Sequence, residues 1–146
     1  MSDALTAIIK GREAINAGDV DSAATHFRRA AETDPEEPDA WNGLAAVAFE
    51  RGDLEESVRN FSHAKELSVL RLGGKMPESV PWSNERNKPL LRAIHGIGLN
   101  KFRVGDLSAA RQSFELLLRL NPTDEQGAGT LLDAIARKMS LWKKKM

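Results

Sequence analysis

The chain has no cysteine. A disulfide scaffold, a thiolate zinc site, an iron–sulfur cluster and a cysteine nucleophile are therefore excluded. Aromatic residues are scarce, at 5%, too few for the β-branched and aromatic strands of a β-sandwich. Neither sign of charge is in excess: 21 Lys+Arg stand against 21 Asp+Glu. The overall balance thus calls for no nucleic acid, acidic substrate or anionic membrane as partner. No run approaches the roughly 18 apolar residues of a spanning helix. The first residues, MSDALTAIIKGREAINAG, lack the basic region and continuous apolar run of a secretory leader. The expected compartment is the cytoplasm. What is present is 41% hydrophobic and 29% charged in 146 residues. That suits one Ala- and Leu-rich helical domain spanning 1–146 and is too apolar for a wholly disordered chain.

The chain repeats itself. Gly18-Asp19-Val20 recurs as Gly52-Asp53-Leu54, a shift of 34, and as Gly105-Asp106-Leu107, a further shift of 53. Phe27, Phe61 and Phe114 each fall nine residues after their glycine. Pro35 and Pro122 fall seventeen after theirs, where the second copy has Val69. The extra 53 − 34 = 19 residues form an insertion, 72–90, between the second and third copies. Self-similarity of this kind marks a stacked-repeat architecture.

Each copy reads as two helices. Leu5, Ile8, Ile9 and Ile15 precede the first Gly-Asp at helical spacing, and Ala23, Ala24, Phe27, Ala30 and Ala31 follow it. Trp41, Leu44, Val47 and Ala48, then Leu54, Val58, Phe61 and Ala64, do the same around the second. Leu91, Ile94, Ile97 and Phe102, then Leu107, Ala110, Phe114 and Leu117, surround the third. Such spacing buries one face of each helix. The glycine suits the left-handed position that ends a helix, the aspartate can cap the next one, and Pro35 and Pro122 end the second helices.

This pattern resembles the tetratricopeptide repeat, whose motif is W-x₂-L-G-x₂-Y, then A-x₃-F, then P. The second copy matches best, with Trp41, Leu44, Ala45 and Ala48, then Ser57, Phe61 and Ala64. The first copy has Gly11, Ala14, Ala23, Phe27 and Pro35; the third has Ile94, Gly98, Ala110, Phe114 and Pro122, with Lys101 at the usual tyrosine. The resemblance implies an all-α right-handed superhelix of three helical hairpins, at about 4–37, 38–71 and 91–124. A C-terminal closing helix is expected over 125–143, with Ala128, Leu131, Leu132, Ile135, Met139 and Trp142 turned inward and Asp133, Arg137 and Lys138 on the opposite side. Trp41 is expected between the first two copies. In the insertion, Asn87 is expected to cap the next helix and Gly73–Ser79 to be mobile. Trp82 is expected to fold back onto the first helix of the third copy or into the groove mouth, near His95 or Phe102.

Catalytic and cofactor chemistry finds no support in the residue pattern. None of His26, His63 and His95 belongs to an HExxH-like pair. Gly74-Lys75 lacks the earlier glycine and the Ser/Thr of a phosphate loop, since Val69 and Met76 stand there. Glu36-Glu37 and Glu55-Glu56 lie at helix starts, where acids favour the dipole. The lysines at 143–145 lack the interleaved aromatics of a nucleic-acid binder. No enzyme activity, cofactor, metal or nucleic-acid partner is expected.

A surface remains. By the resemblance, repeat positions 2, 5, 9, 12 and 13 face a concave groove lined by the first helices. They are Leu5, Ile8, Arg12, Ile15 and Asn16; Asp39, Asn42, Ala46, Phe49 and Glu50; and Arg92, His95, Leu99, Phe102 and Arg103. The peptide-binding residues expected from this set are Arg12, Asn16, Asn42, Phe49, Arg92, His95, Leu99, Phe102 and Arg103, aromatic anchors among hydrogen-bond donors. Some domains of the family clamp the C-terminal carboxylate of heat-shock chaperones with Lys, Asn and Arg. Carried over, those places hold Ile8, Arg12, Gly43, His95 and Leu99, so such tails are not expected to bind. The expected function is a non-enzymatic protein-interaction module gripping a peptide or partner helix. The alternative is a structural protein self-associating through its terminal helices, as a monomer or weak homodimer.

Overall fold

The computed structural model describes residues 2–145. Seven α-helices follow one another: α1 (Asp3–Asn16), α2 (Val20–Thr33), α3 (Pro38–Glu50), α4 (Leu54–Arg71), α5 (Lys88–Val104), α6 (Leu107–Leu120) and α7 (Ala128–Lys145). A single 3-10 turn, Glu85–Asn87, precedes α5, and no strand occurs among the described residues. The fold is all-α, as the periodicity predicts. No helix among the described residues is long and apolar enough to cross a membrane.

The same joint is built three times. Gly18, Gly52 and Gly105 take φ of 81°, 81° and 87°, a left-handed conformation that costs glycine little. The main-chain N–H of the following aspartate then turns back onto the helix it leaves: Asp19 to Ala14 O, Asp53 to Ala48 O and Asp106 to Lys101 O, each at 2.9 Å. Their carboxylates accept the N–H of Ser22, Glu56 and Ala109 and so cap α2, α4 and α6. One Gly-Asp pair thus satisfies orphan groups on both helices of each hairpin. The hairpins α1/α2, α3/α4 and α5/α6 stack so that α1, α3 and α5 lie side by side and each second helix packs on the next first helix.

Small residues set how closely the helices approach. The Phe27 ring lies against Gly11 of α1 and Gly43 of α3, the Phe61 ring against Gly96 of α5, and the Phe114 ring against Gly98. One cluster, around Ile8, Phe27, Ala30 and Ala40, binds the first hairpin to α3, and Trp41 and Leu44 pack at its edge. A second, around Leu90, Leu91, Ile94, Phe114 and Leu120, joins α5, α6 and α7. Trp41 spans from the first copy to the second: its indole N–H donates to Pro35 O at 2.8 Å and its ring meets His63 edge-on, 4.7 Å between centroids.

Where the second copy has Val69 in place of proline, α4 runs to 18 residues against 14 in α2. The insertion then leaves α4 through Gly73 and Gly74 and returns along the end of α6. Val80 is fully buried beside Leu90 and Leu91. Its N–H donates to Leu120 O at 2.7 Å, and the Trp82 N–H donates to Asn121 Oδ1 at 3.1 Å. Asn87 stands at the N-cap position of α5 but makes no capping bond; its amide donates instead to Pro81 O at 3.0 Å. Trp82 folds back onto the first helix of the third copy, against the first turns of α5 beside Lys88 and Arg92, and its backbone is tethered to Asn121.

Helix α7 is capped by Asp124, whose two carboxylate oxygens accept the N–H of Ala128 (2.6 Å) and Gly129 (2.9 Å). Leu131, Leu132, Ile135 and Met139 pack on the second cluster. Two expectations for this helix fail. Trp142 shares the apolar register yet stays 64% exposed, because the helix runs on past the turn at Gly105. Lys138 lies over the Phe102 ring, 4.6 Å from its centroid, and therefore faces α5 and not solvent alone.

Candidate functional site

The inner side of α1, α3 and α5 encloses a cavity of about 220 Å³. Ile15, Ala46, Leu99 and the rings of Phe27 and Phe61 supply its apolar walls, and Arg12, Asp39, Asn42, Arg92, His95 and Gln126 supply polar groups. A recess of about 760 Å³ lies on another face, along Val58, Val69 and Leu70 of α4 and Ile97 and Lys101 of α5. The inner cavity is the candidate site despite its smaller volume, because charged groups from three helices converge there. Recognition sites combine apolar walls with a few placed polar groups.

The centre of that convergence is Asp39, in the first turn of α3. One carboxylate oxygen, Oδ2, takes both Arg12 Nη2 of α1 and Arg92 Nη1 of α5, each at 2.8 Å. The other, Oδ1, accepts from Asn42 Nδ2 at 3.1 Å. Asn42 also donates to Pro89 O at 3.0 Å, which ties α3 to the start of α5. Its own Oδ1 is buried and has no partner. Burial lowers the Arg92 pKa, and the neighbouring Asp39 carboxylate opposes that shift. A guanidinium starts so far above neutrality that Arg92 stays charged. The cluster therefore carries two positive charges against one negative. The Arg12 and Arg92 side chains keep 37% and 29% of their surface open, against 12% for Asp39.

Arg92 has a second neighbour. Its guanidinium carbon lies 5.6 Å from the centre of the Trp82 ring, and Lys88 Nζ lies 4.9 Å from the same centre. Cations at such distances are attracted by the ring's quadrupole. The insertion thereby reaches the groove through Trp82, Arg92, Asp39 and Arg12 in turn.

Of the nine residues expected to bind a peptide, Arg12, Asn42, Arg92, His95 and Leu99 line the cavity. His95 meets Phe114 edge-on at 5.8 Å. Desolvation pushes its pKa down, opposed by a hydrogen bond with the Gln126 main chain and by Asp124. It is a neutral imidazole at pH 7. Asn16, Phe49, Phe102 and Arg103 stand apart from the cavity, toward the other ends of the first helices. Arg103 Nη1 donates to Phe49 O at 2.7 Å, and its guanidinium covers the Phe49 ring at 4.9 Å. The pair closes the C-terminal end of α3, where a cation suits the dipole. Phe102 is half-buried against the second cluster under Lys138, and Asn16 is exposed.

Three contributors escape a reading of binding residues from sequence. Asp39 falls on a groove-facing repeat position, yet an acid in a first helical turn also reads as a dipole complement. Gln126, whose amide donates to Leu91 O at 3.2 Å, and Lys88 lie outside the repeat positions. Among the described residues no group of His, Asp and Glu is placed to hold a metal ion.

Comparison with known proteins agrees with this architecture. A model of the tetratricopeptide repeat matches residues 10–62. The CTR9 homolog of Arabidopsis thaliana is 30% identical over 122 residues, which is 84% of this chain but 10% of that protein. The chain thus spans about a tenth of the length of that relative. Among solved structures, the first tetratricopeptide domain of Spaghetti (RPAP3), bound to the HSP90 peptide SRMEEVD, superposes with a TM-score of 0.73 at 20% identity, covering 94% of this chain and 96% of that one. The N-terminal domain of stress-induced protein-1 from C. elegans gives 0.64 at 22% identity, covering 91% and 94%. The first tetratricopeptide domain of human RPAP3 gives 0.63 at 20% identity, covering 98% and 97%. Residues 10–62 thus belong to the tetratricopeptide-repeat family, and the chain as a whole takes that helical-hairpin fold.

Proposed function

We propose that this chain is a non-enzymatic protein-interaction module that holds a peptide or partner helix in its concave groove. The observation that carries the reading is the inner cavity, where two half-open guanidiniums stand above walls of Ile15, Ala46 and Leu99. Each guanidinium gives one N–H to Asp39 and keeps part of its surface open. Charged side chains ringing an apolar pocket are what a peptide anchor needs. The related Spaghetti domain, which holds a peptide, supports the same reading. A photo-cross-linking residue at Ile15 tests it in cell lysate. Capture of discrete proteins that disappears when Ala46 is also changed to Arg is expected. Equal capture from a cross-linker at Lys65, on the outer face, would sink the reading.

A second reading, self-association through the terminal helix, rests on Leu141 and Trp142. They are 58% and 64% exposed beside an apolar recess of about 380 Å³ lined by Gly105, Leu107 and Met139. Its test is the mass from sedimentation equilibrium: a concentration-dependent dimer that Trp142→Glu abolishes supports it, and a monomer at high concentration rejects it.

A further inference from the structure

We infer that the groove selects a segment by one internal acidic side chain, an Asp or Glu whose carboxylate seats on the outward N–H groups of Arg12 and Arg92. The inference rests on the groove reading above and specifies the chemistry of its ligand. The charge count carries it. Arg12 and Arg92 share a single carboxylate oxygen of Asp39, so each spends one N–H of the five in a guanidinium. The trio has one unbalanced positive charge, and both guanidiniums remain partly open while Asp39 is mostly covered.

Lys88, in the first turn of α5, is paired with Glu85 and also acts on Glu125, so it adds no net positive charge to the trio's excess of one. A singly charged carboxylate completes that balance, whereas a phosphate dianion overshoots it. His95 adds no charge, being neutral by burial, and Gln126 is an amide.

Two features favour an acid within a continuous segment over a free chain end. A terminal carboxylate needs donors converging from several sides, but Ile8 is 1% exposed in the core, Gly43 is pressed on Phe27, and Leu99 is aliphatic. The charged donors lining the cavity are Arg12 and Arg92. Apolar surface continues on either side of them. Ile15, Ala46 and Leu99 lie inward and the Trp82 ring outward, against Arg92. Chain can therefore pass on both sides of the acidic residue, with an apolar neighbour on Trp82. Trp82 acts here as a positioning residue: it holds the Arg92 guanidinium over its ring.

The test uses the full chain and a phage-displayed library of random 12-residue segments fused ahead of the coat protein, so that no segment ends in a free carboxylate. Enriched segments are expected to share one Asp or Glu at a fixed position. Changing that residue to its amide in a synthetic, C-terminally amidated peptide should weaken binding about tenfold or more, since a charge-assisted hydrogen bond is at stake. Arg92→Glu should restore binding to a peptide carrying Lys at that position. The peptide-side change leaves the protein untouched, so loss of folding in an arginine variant does not obscure the result. Enriched segments that an Ala46→Arg variant no longer binds, but that carry no fixed acid, overturn this inference and leave the groove reading standing. Segments that Ala46→Arg still binds, or no enrichment at all, overturn the groove reading itself.

Discussion

Gly43 of α3 lies so close to Phe27 of α2 that a Cβ at Gly43 would stand 2.1 Å from the ring. No rotamer of alanine relieves that overlap; either the ring or the helix must move. Gly43→Ala is therefore expected to cost about 1–3 kcal/mol, a serious fraction of the roughly 5–15 kcal/mol that holds a domain together. Phe27→Leu should recover part of the loss, giving a clearly non-additive double-mutant cycle in urea unfolding. A Gly43→Ala protein within about 0.5 kcal/mol of the parent would contradict the close approach.

The second half of the insertion is tied to α6 by the Val80 N–H and to Asn121 by the Trp82 N–H. Both amides should exchange slowly, while those of Lys75, Met76 and Glu78, all exposed, should exchange fast. Val80 is fully buried, so Val80→Ala should cost about 2 kcal/mol from two lost methyl groups and the space they leave. Uniformly fast exchange from 75 through 87 would show that the segment is not anchored there.

The Gly-Asp joints were legible in the sequence because their chemistry is local and written three times. Glycine supplies the left-handed residue, and aspartate supplies the cap one position later. Spacing alone also finds Phe27, Phe61 and Phe114, the rings that pack on the facing glycines. The cavity is different in kind. Asp39 and Arg92 are 53 residues apart and meet because the stacked hairpins set α5 beside α3. Nothing in a repeat register says that one acid will take both arginines, or that Arg103 will turn away to the Phe49 carbonyl. Trp142 misleads for a simpler reason. Helical periodicity continues past the last residue that has something to pack against.

His95 makes stability depend on pH. Its folded pKa is depressed, so below the usual imidazole value of about 6.5 the unfolded chain binds more protons than the folded one. Stability is then full above that value and is lost as pH falls toward the lowered folded pKa. The hydrogen bond with the Gln126 main chain and the charge of Asp124 only partly offset the burial. Wild-type melting temperature should fall between pH 7.5 and 5.5 by more than that of His95→Gln. Equal slopes for the two proteins would show that the imidazole is not the titrating group.

Arg12 and Arg92 invite comparison with domains of the family that clamp the free C-terminus of a chaperone tail, and the geometry argues against that use here. A terminal carboxylate read by even one charge-assisted hydrogen bond gains about 1.5–3 kcal/mol, or about tenfold or more in affinity. The remaining places that would have to donate are filled by buried Ile8, by Gly43 against Phe27, by neutral His95 against Phe114 and by aliphatic Leu99. An acidic chaperone tail offered with a free end and with an amidated end should therefore bind equally weakly. Contacts through an internal acidic side chain are indifferent to amidation, so they do not disturb the comparison. Isothermal titration of both peptides decides the matter: micromolar affinity for the free end, lost on amidation, would mean that the arginine pair reads a chain terminus after all.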